Sequence, residues 1–543
     1  MDDEHVPWNP WEAADPADMP THPGSEDAPT ALLPAGWVDA VPEPRRGVSR
    51  RGMLIGAGAV WLGAAGVGVG LYLRDHGLPG AQGSTPVNDQ AGVQHVLRRA
   101  AFGATPNELA AYLQLGVSGT IERLLNPTAP DDLEAKLAPL ALDFSKPVDV
   151  QRWFILRLLN SQRPLEEKMT LFWHGVLTSS YRDVKQNFQW MRNQINLLRT
   201  HGLGRLDDLI HAITVDPAMM WYLDLRLNRA NAPNENYARE LMELFTLGLT
   251  DAGGQPNYTQ ADVVAGARAL TGWTTAGDQA VFNQRQFDAG VKTYLGHTGN
   301  LGLDDVVKIV CAHPSTPYHL AWRMWSFFAY EKPGLGELQP LIDAYNHHDH
   351  SIGAMVRAML TSPNFFGDKA YRQRVKSPTE YVIGSIRALG VPTNGQGLPG
   401  LLASMGQELL NPPNVSGWDG DKVSANWMST QAWMTRLNFA NSLLGAASTP
   451  PKASGTAAAK APLQALVDAR QIATPAELAD YFIQTLLDGM VSNNRVAAIK
   501  QYQTAAAAAG GPALTLHGGQ TVPLAAVRGS LYLMLAIPEY QLN

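Results

Sequence analysis

The sequence predicts an all-α protein: a multi-helix, bundle-like main domain with minor β-hairpins around residues 250–300 and a small helical C-terminal extension. Three observations predict it. Apolar residues recur at helical spacing from about 95 to 443. Polar capping residues open these stretches, and Gly or Pro closes them. Short alternating runs that suit strands are confined to the 280s. The chain has 543 residues, 45% hydrophobic and 17% charged, enough apolar side chains to build a large core. A net charge of −7 without a Lys/Arg stripe argues against a nucleic-acid partner. The single cysteine, Cys311, excludes an intramolecular disulfide framework and any multi-cysteine metal centre.

The segments follow in order. Residues 1–48 are rich in Pro, Asp and Glu, lack apolar periodicity, and read as a disordered acidic cytoplasmic tail. Residues 49–75 follow a different logic. Arg45, Arg46, Arg50 and Arg51 precede an uncharged run of 22 residues, Gly52 to Leu73, rich in Gly and Ala. Ser49-Arg50-Arg51-Gly52-Met53-Leu54 resembles a twin-arginine export signal, and the one-sided charge puts the N-terminus in the cytoplasm. The run is long enough to span a bilayer as a transmembrane helix. Two readings stay open: a membrane anchor, or a signal cut after Ala81-Gln82-Gly83 that releases a periplasmic or secreted protein. Either way the main domain is expected in the cell envelope or beyond it. Residues 76–89 form a linker, 90–445 the main helical domain, 446–462 a second linker, and 463–543 the C-terminal extension.

Within the main domain, APNENYARELMELFTLG (232–248) has the strongest chemical content. At 100° per residue, Tyr237, Ala238, Leu241, Met242, Leu244 and Phe245 fall on one side. Glu235, Asn236, Arg239, Glu240 and Glu243 fall on the other. Asn234 supplies a cap and Gly248 a stop. One reading is a solvated charge ladder, its i,i+4 pairs worth roughly 0.2–0.5 kcal/mol each. The other is a polar cleft in which Glu240 and Glu243 face one ligand, with Arg239 holding both ionised.

Other candidates stand beside it. His174, in TLFWHGVLT, borders a core-facing stripe and reads as a core or rim residue unless carboxylates join it, when a divalent metal would suit the set. NPPNVSGWDGDKVSANW (411–427) presents Asn414 and Trp418 on a stiff loop. There Trp418 is either a sugar-stacking platform or a plug into the core. YLGHTGNLG (294–302) lacks the Lys-Ser/Thr of a P-loop and reads as a structural turn. His347, His348 and His350 with Asp349 read as a cap for the helix beginning near Ile352. Neither a Gly-x-Ser-x-Gly elbow nor His-Glu-x-x-His occurs.

Seven stretches in order carry a family resemblance: HVLRRAAFGATPNEL at 95, EKMTLFWHGVLTSS at 167, NENYARELMELFTLG at 234, YTQADVVAGARALTGW at 258, FDAGVKTYLGHTGN at 287, VKSPTEYVIGSIRALG at 375 and NPPNVSGWDG at 411. Over about residues 90–445 they resemble the bacterial family called domain of unknown function 1800. The resemblance implies an exported, mainly α-helical protein, frequently encoded beside a partner similar to alkaline phosphatases and sulfatases. It brings no activity with it. Where the family usually has His-Asp before GxKTxLG, this chain has Phe287-Asp288, which leaves Asp288 and Lys292 but removes the histidine. The expected catalytic set is therefore Glu240, Glu243, His174 and Asp288, with Arg239, Lys292, Asn414 and Trp418 as binding residues. The function expected is hydrolysis of a carbohydrate or of a sulfate or phosphate ester outside the cytoplasm. The alternative is a non-catalytic helical scaffold that works with the phosphatase- or sulfatase-like partner.

Overall fold

In this computed structural model, residues 89–184, 187–448, 462–506 and 510–543 are described. The acidic tail, the twin-arginine-like run, the first linker but for its last residue, and most of the second linker lie outside the described residues. The fold is helical, as the periodicity predicts. Its β-structure among the described residues is three two-stranded antiparallel sheets. No helix among the described residues is long and apolar enough to cross a membrane.

The elements that frame the sites are helices α1 (Asp89–Ala101), α2 (Pro147–Asn160), α3 (Pro164–Val176), α4 (Phe188–His201), α5 (Pro217–Tyr222) and α6 (Asn236–Glu240). Helix α7 (Gln260–Ala269) precedes the hairpins β1–β2 (Trp273–Ala276, Gln279–Phe282) and β3–β4 (Lys292–Tyr294, His297–Gly299). Then come α8 (Leu303–Ala312), α9 (Ser315–Phe328), α10 (Leu335–His347), α11 (Ile352–Leu360), α12 (Pro378–Ala388) and α13 (Thr430–Ser448). The extension holds α14 (Pro475–Leu487), α15 (Asn493–Ala506), the hairpin β5–β6 (Ala513–Thr515, Thr521–Pro523) and α16 (Leu524–Ala536).

Local chemistry starts these helices where the sequence places its caps. Thr259 with Asp262 opens α7 through a reciprocal capping box, and Ser377 with Glu380 opens α12 in the same way, with Pro378 in the first turn. The first two hairpins fall where strands are predicted, with Trp273 opposite Phe282 and Lys292 opposite Gly299. The third lies in the extension, where only helix is predicted. Its signal is the alternation of Leu514, Leu516 and Val522 around Gly518-Gly519.

Apolar burial continues from Val93 to Leu542, with Trp153, Trp173 and Trp325 among the largest fully buried side chains. The extension shares this core and is bonded to the rest of the chain by its backbone. Val375 pairs with Leu542 in an isolated bridge, Lys376 N donates to Gln541 O at 2.8 Å, and Asn543 N donates to Arg374 O at 2.7 Å. Gln94 Nε2, on α1, donates to Gln484 O on α14 at 2.9 Å.

Candidate functional site

The acidic stretch is α-helical only as far as Glu240, and from Leu241 to Thr246 it widens into a π-helix. The 100° wheel predicted for the whole stretch therefore holds only for its first turn. Side chains take up carbonyls that this winding and its end leave over. Thr246 Oγ1 donates to Leu241 O at 2.6 Å, His319 Nε2 bonds Leu244 O at 3.2 Å, and Asn257 Nδ2 donates to Leu247 O and Gly248 O at 2.8 and 3.0 Å. Leu247 N and Gly248 N both turn back to Met242 O, at 2.9 and 3.0 Å. Gly248 is required here on two grounds: its φ is +76°, and a Cβ would stand 2.7 Å from His319 Nδ1. Such single π-turns are rare and occur frequently at functional sites.

Tyr237, Leu241, Met242 and Phe245 anchor the inner face, where Tyr237 shares a 2.6 Å hydrogen bond with Thr214 Oγ1. Asn234 Oδ1 accepts from Asn236 N at 3.0 Å, so it serves the first turn as predicted, although Glu235 occupies the capping position. Glu240 and Glu243 lie half-buried on the outer side. Arg239 does not hold them. Its guanidinium bonds Glu235 at 3.0 Å and Gln260 at 3.1 Å, the second a residue on α7 that the single-helix wheel ignores.

The two carboxyls consequently have different surroundings. Glu243 accepts a hydrogen bond from Tyr258 Oη at 3.2 Å. Glu240 has no such bond; burial first, then the charge of Glu243, push its pKa up to about 7 against a smaller opposing pull from Arg239. The expectation that both stay ionised is corrected on this point: Glu240 is half protonated near neutrality. Burial and the charges of Asp183 and Glu240 raise the Tyr222 phenol to about 12. Burial and Glu243 raise Tyr258 further, so both phenols remain donors. A carboxyl that can give a proton beside a second carboxyl, flanked by two phenols, is an acid–base arrangement. Tyr222 and Tyr258 are the members that reasoning along one helix misses, since they come from α5 and from the loop before α7.

The other predicted residues make no bond to this pair among the described residues. Asp288 accepts from Arg268 Nε at 2.6 Å and from Gly290 N at 2.8 Å, and the guanidinium holds its pKa down. Lys292 is buried and donates to Asp288 O, to Leu301 O at 3.1 Å and to Asn300 Oδ1 at 3.3 Å. Its ammonium also lies 4.7 Å from the centre of the Phe287 ring. Asp288 and Lys292 thus tie the hairpin region together, and no bond joins either to Glu240 or Glu243 among the described residues.

His174 and Trp418 meet each other instead, ring centres 5.2 Å apart. His174 is fully buried, accepts from Leu410 N at 3.0 Å through Nε2, and has its pKa driven down to about 3 by burial, so it is neutral. Trp418 is only 3% exposed, which makes it the plug rather than the platform. Gly417 allows this seating: its φ is +84° and a Cβ would come 2.2 Å from Gly175 O at the end of α3. Asn414 is exposed, and its Oδ1 accepts from Ser416 N and Oγ at 2.9 and 2.7 Å, stiffening the loop. Ser351, not the histidines, caps α11; His350 instead bonds Asp207 at 2.7 Å and stacks on Tyr345. Among the described residues no group of three His, Cys, Asp or Glu side chains is arranged to hold a metal ion, so the donor set for the divalent metal does not assemble there.

A model of a family described as protein of unknown function, DUF1800, matches residues 95–542. No curated protein and no solved structure matches the chain.

Proposed function

Because the chain belongs to the DUF1800 family, whose description specifies no activity, we propose its function from the site itself: acid–base hydrolysis of a glycosidic bond at Glu240 and Glu243. The observation that carries this reading is Glu240, half-buried, without a hydrogen-bond partner among the described residues, and with its pKa pushed up to about 7 beside Glu243. Glu240 gives its proton to the leaving oxygen, while Glu243, oriented by Tyr258, acts as base or nucleophile. Between the substrate classes open from the sequence, the electrostatics favour a neutral carbohydrate over a sulfate or phosphate ester. Two carboxyls face the site, and the nearest guanidinium, Arg239, is already engaged by Glu235 and Gln260.

Glu240→Gln and Glu243→Gln, assayed on a panel of neutral oligosaccharides, are expected to lower turnover by about 10²–10⁴-fold with folding intact. Activity should also fall as pH rises above about 7, where Glu240 loses its proton. Turnover unaffected by either substitution removes the reading. The scaffold alternative draws support from His174, Asp288, Lys292 and Asn414, all engaged in bonds that build the fold. It predicts no turnover on any substrate and a stable complex with the phosphatase- or sulfatase-like partner.

Action outside the cytoplasm rests on the Ser49–Leu54 pattern and the arginines around it. Arg50→Lys with Arg51→Lys should hold the protein in the cytoplasm, as cell fractionation would report. Undiminished export of that double variant excludes the twin-arginine route.

A further inference from the structure

A cleft lies between α1, α12 and the end of α14, apart from the acidic pair. Its enclosed volume is about 50 Å³, room for an oxyanion head, and it opens to solvent, where the rest of a small ligand would lie. Its floor is charged in an unbalanced way. Arg98, Arg372 and Tyr371 all converge on one carboxylate, Asp488, with Arg372 at 3.0 Å and Tyr371 Oη at 2.7 Å. The neighbouring Glu380 is shared by Lys168 at 2.5 Å and Arg374 at 3.6 Å. Lys376 adds a buried amine: its Nζ lies 3.7 Å from the centre of the Tyr540 ring and hydrogen-bonds to no described residue. Four cations bond these two carboxylates, which leaves an excess of positive charge around them in a water-poor site. That is costly unless an anion completes it.

The unused donors point the same way. Arg98 is 9% exposed, and among the described residues its Nε and Nη2 have no acceptor; Nδ2 of Asn543, which also lines the cleft, has none either. Asp488 and Glu380 border the cleft too, but their oxygens are engaged by the cations named above. The space itself is kept by small side chains. Gly384 and Ala388 stand one turn apart on α12, and a Cβ on Gly384 would meet only Phe102 O, at 3.7 Å. The remaining wall is apolar, with Leu97, Leu109 and Leu486.

We propose that this cleft binds a small organic anion, its oxyanion held by Arg98 and Lys376 and its apolar body lying against Leu97, Leu109 and Leu486. Burial and the neighbouring guanidiniums of Arg372 and Arg98 depress the Lys376 pKa, and a bound anion restores its charged form. The test is calorimetric titration and thermal unfolding of the purified full chain with hexanoate and, separately, with inorganic phosphate. Hexanoate should bind the parent chain and raise its melting temperature. Lys376→Met should weaken that binding roughly tenfold or more, the loss of a charge-assisted bond. Ala388→Phe, which fills the space without touching a charge, should abolish it.

Phosphate binding as well as hexanoate supports recognition of the oxyanion head alone, whereas hexanoate binding alone supports recognition of head and body together. Absence of binding by both anions at millimolar concentration overturns the proposal. So does hexanoate binding that both variants leave unchanged. If Ala388→Phe does not fold, Lys376→Met decides alone, and unaltered hexanoate affinity in it is the overturning result.

Discussion

Replacing Glu240 with Gln separates what this carboxyl does for chemistry from what it does to stability. Its pKa in the folded chain, about 7, lies above the ordinary carboxylate value of 4.5. Its contribution to stability is therefore fully present below about pH 4.5 and is lost as pH rises through about 7. Above that, the folded state carries an unpartnered charge. Glu240→Gln should thus stabilise the protein at pH 8 by on the order of 1 kcal/mol, discounted for the group's half exposure, and have little effect at pH 4. Chemical denaturation at the two pH values checks this, and a variant that is less stable at pH 8 contradicts it. A rung of a solvated ladder would show no such pH dependence. The sequence locates Glu240 and Glu243 because both stand in one periodic stretch. It gives the i,i+4 pairing of Arg239 with Glu235 and the core reading of His174, but not the bond from Arg239 to Gln260, which is on another helix, nor a choice between plug and platform for Trp418, which depends on how the 411–427 loop seats on Gly175.

At the scale of elements, the π-turn is the feature least legible in the sequence. Its α-like periodicity is intact, and beside the local Thr246 the side chains that satisfy its carbonyls are Asn257 and His319, 9 or more residues away in the chain. The pattern of Tyr237 to Phe245 thus gives the buried face correctly and the winding incorrectly. Gly248 is the hinge of this geometry. Gly248→Ala combines a left-handed φ of +76° with a 2.7 Å approach to His319 Nδ1. It should cost about 1–3 kcal/mol. If the acid–base reading holds, it should also lower turnover further than its loss of stability explains. Thermal unfolding and single-turnover assays separate the two effects. Both hairpins of the 270–300 region are legible from their alternation, but β5–β6 is obscured by the helical stretches on either side of it.

Across the whole molecule, α1 and α14 are held together by charge as well as by apolar contact. Asp488 is buried among Arg98, Arg372 and Tyr371, and the two guanidiniums bring its pKa down to about 2 despite desolvation. Its stabilising effect is present above the ordinary aspartate value of 3.8 and lost as pH falls toward about 2, so acid unfolding should begin in that interval. Asp488→Asn leaves buried guanidiniums uncompensated and should cost about 3–5 kcal/mol, read as a lower denaturant midpoint. The sequence shows Arg98 inside the motif block HVLRRAAF and Lys376 inside VKSPTEY, but places Tyr371, Arg372 and Asp488 in none, and it does not show that these distant segments meet. That meeting also sets a clock. Arg98 and Asp488 are 390 residues apart. At a synthesis rate of about 5–20 residues per second, the first helix waits roughly 20–80 s for the residue that neutralises it. During that interval a nascent chain exposes a basic, apolar surface that the finished protein conceals, and its need for a chaperone should be greatest before residue 488 emerges.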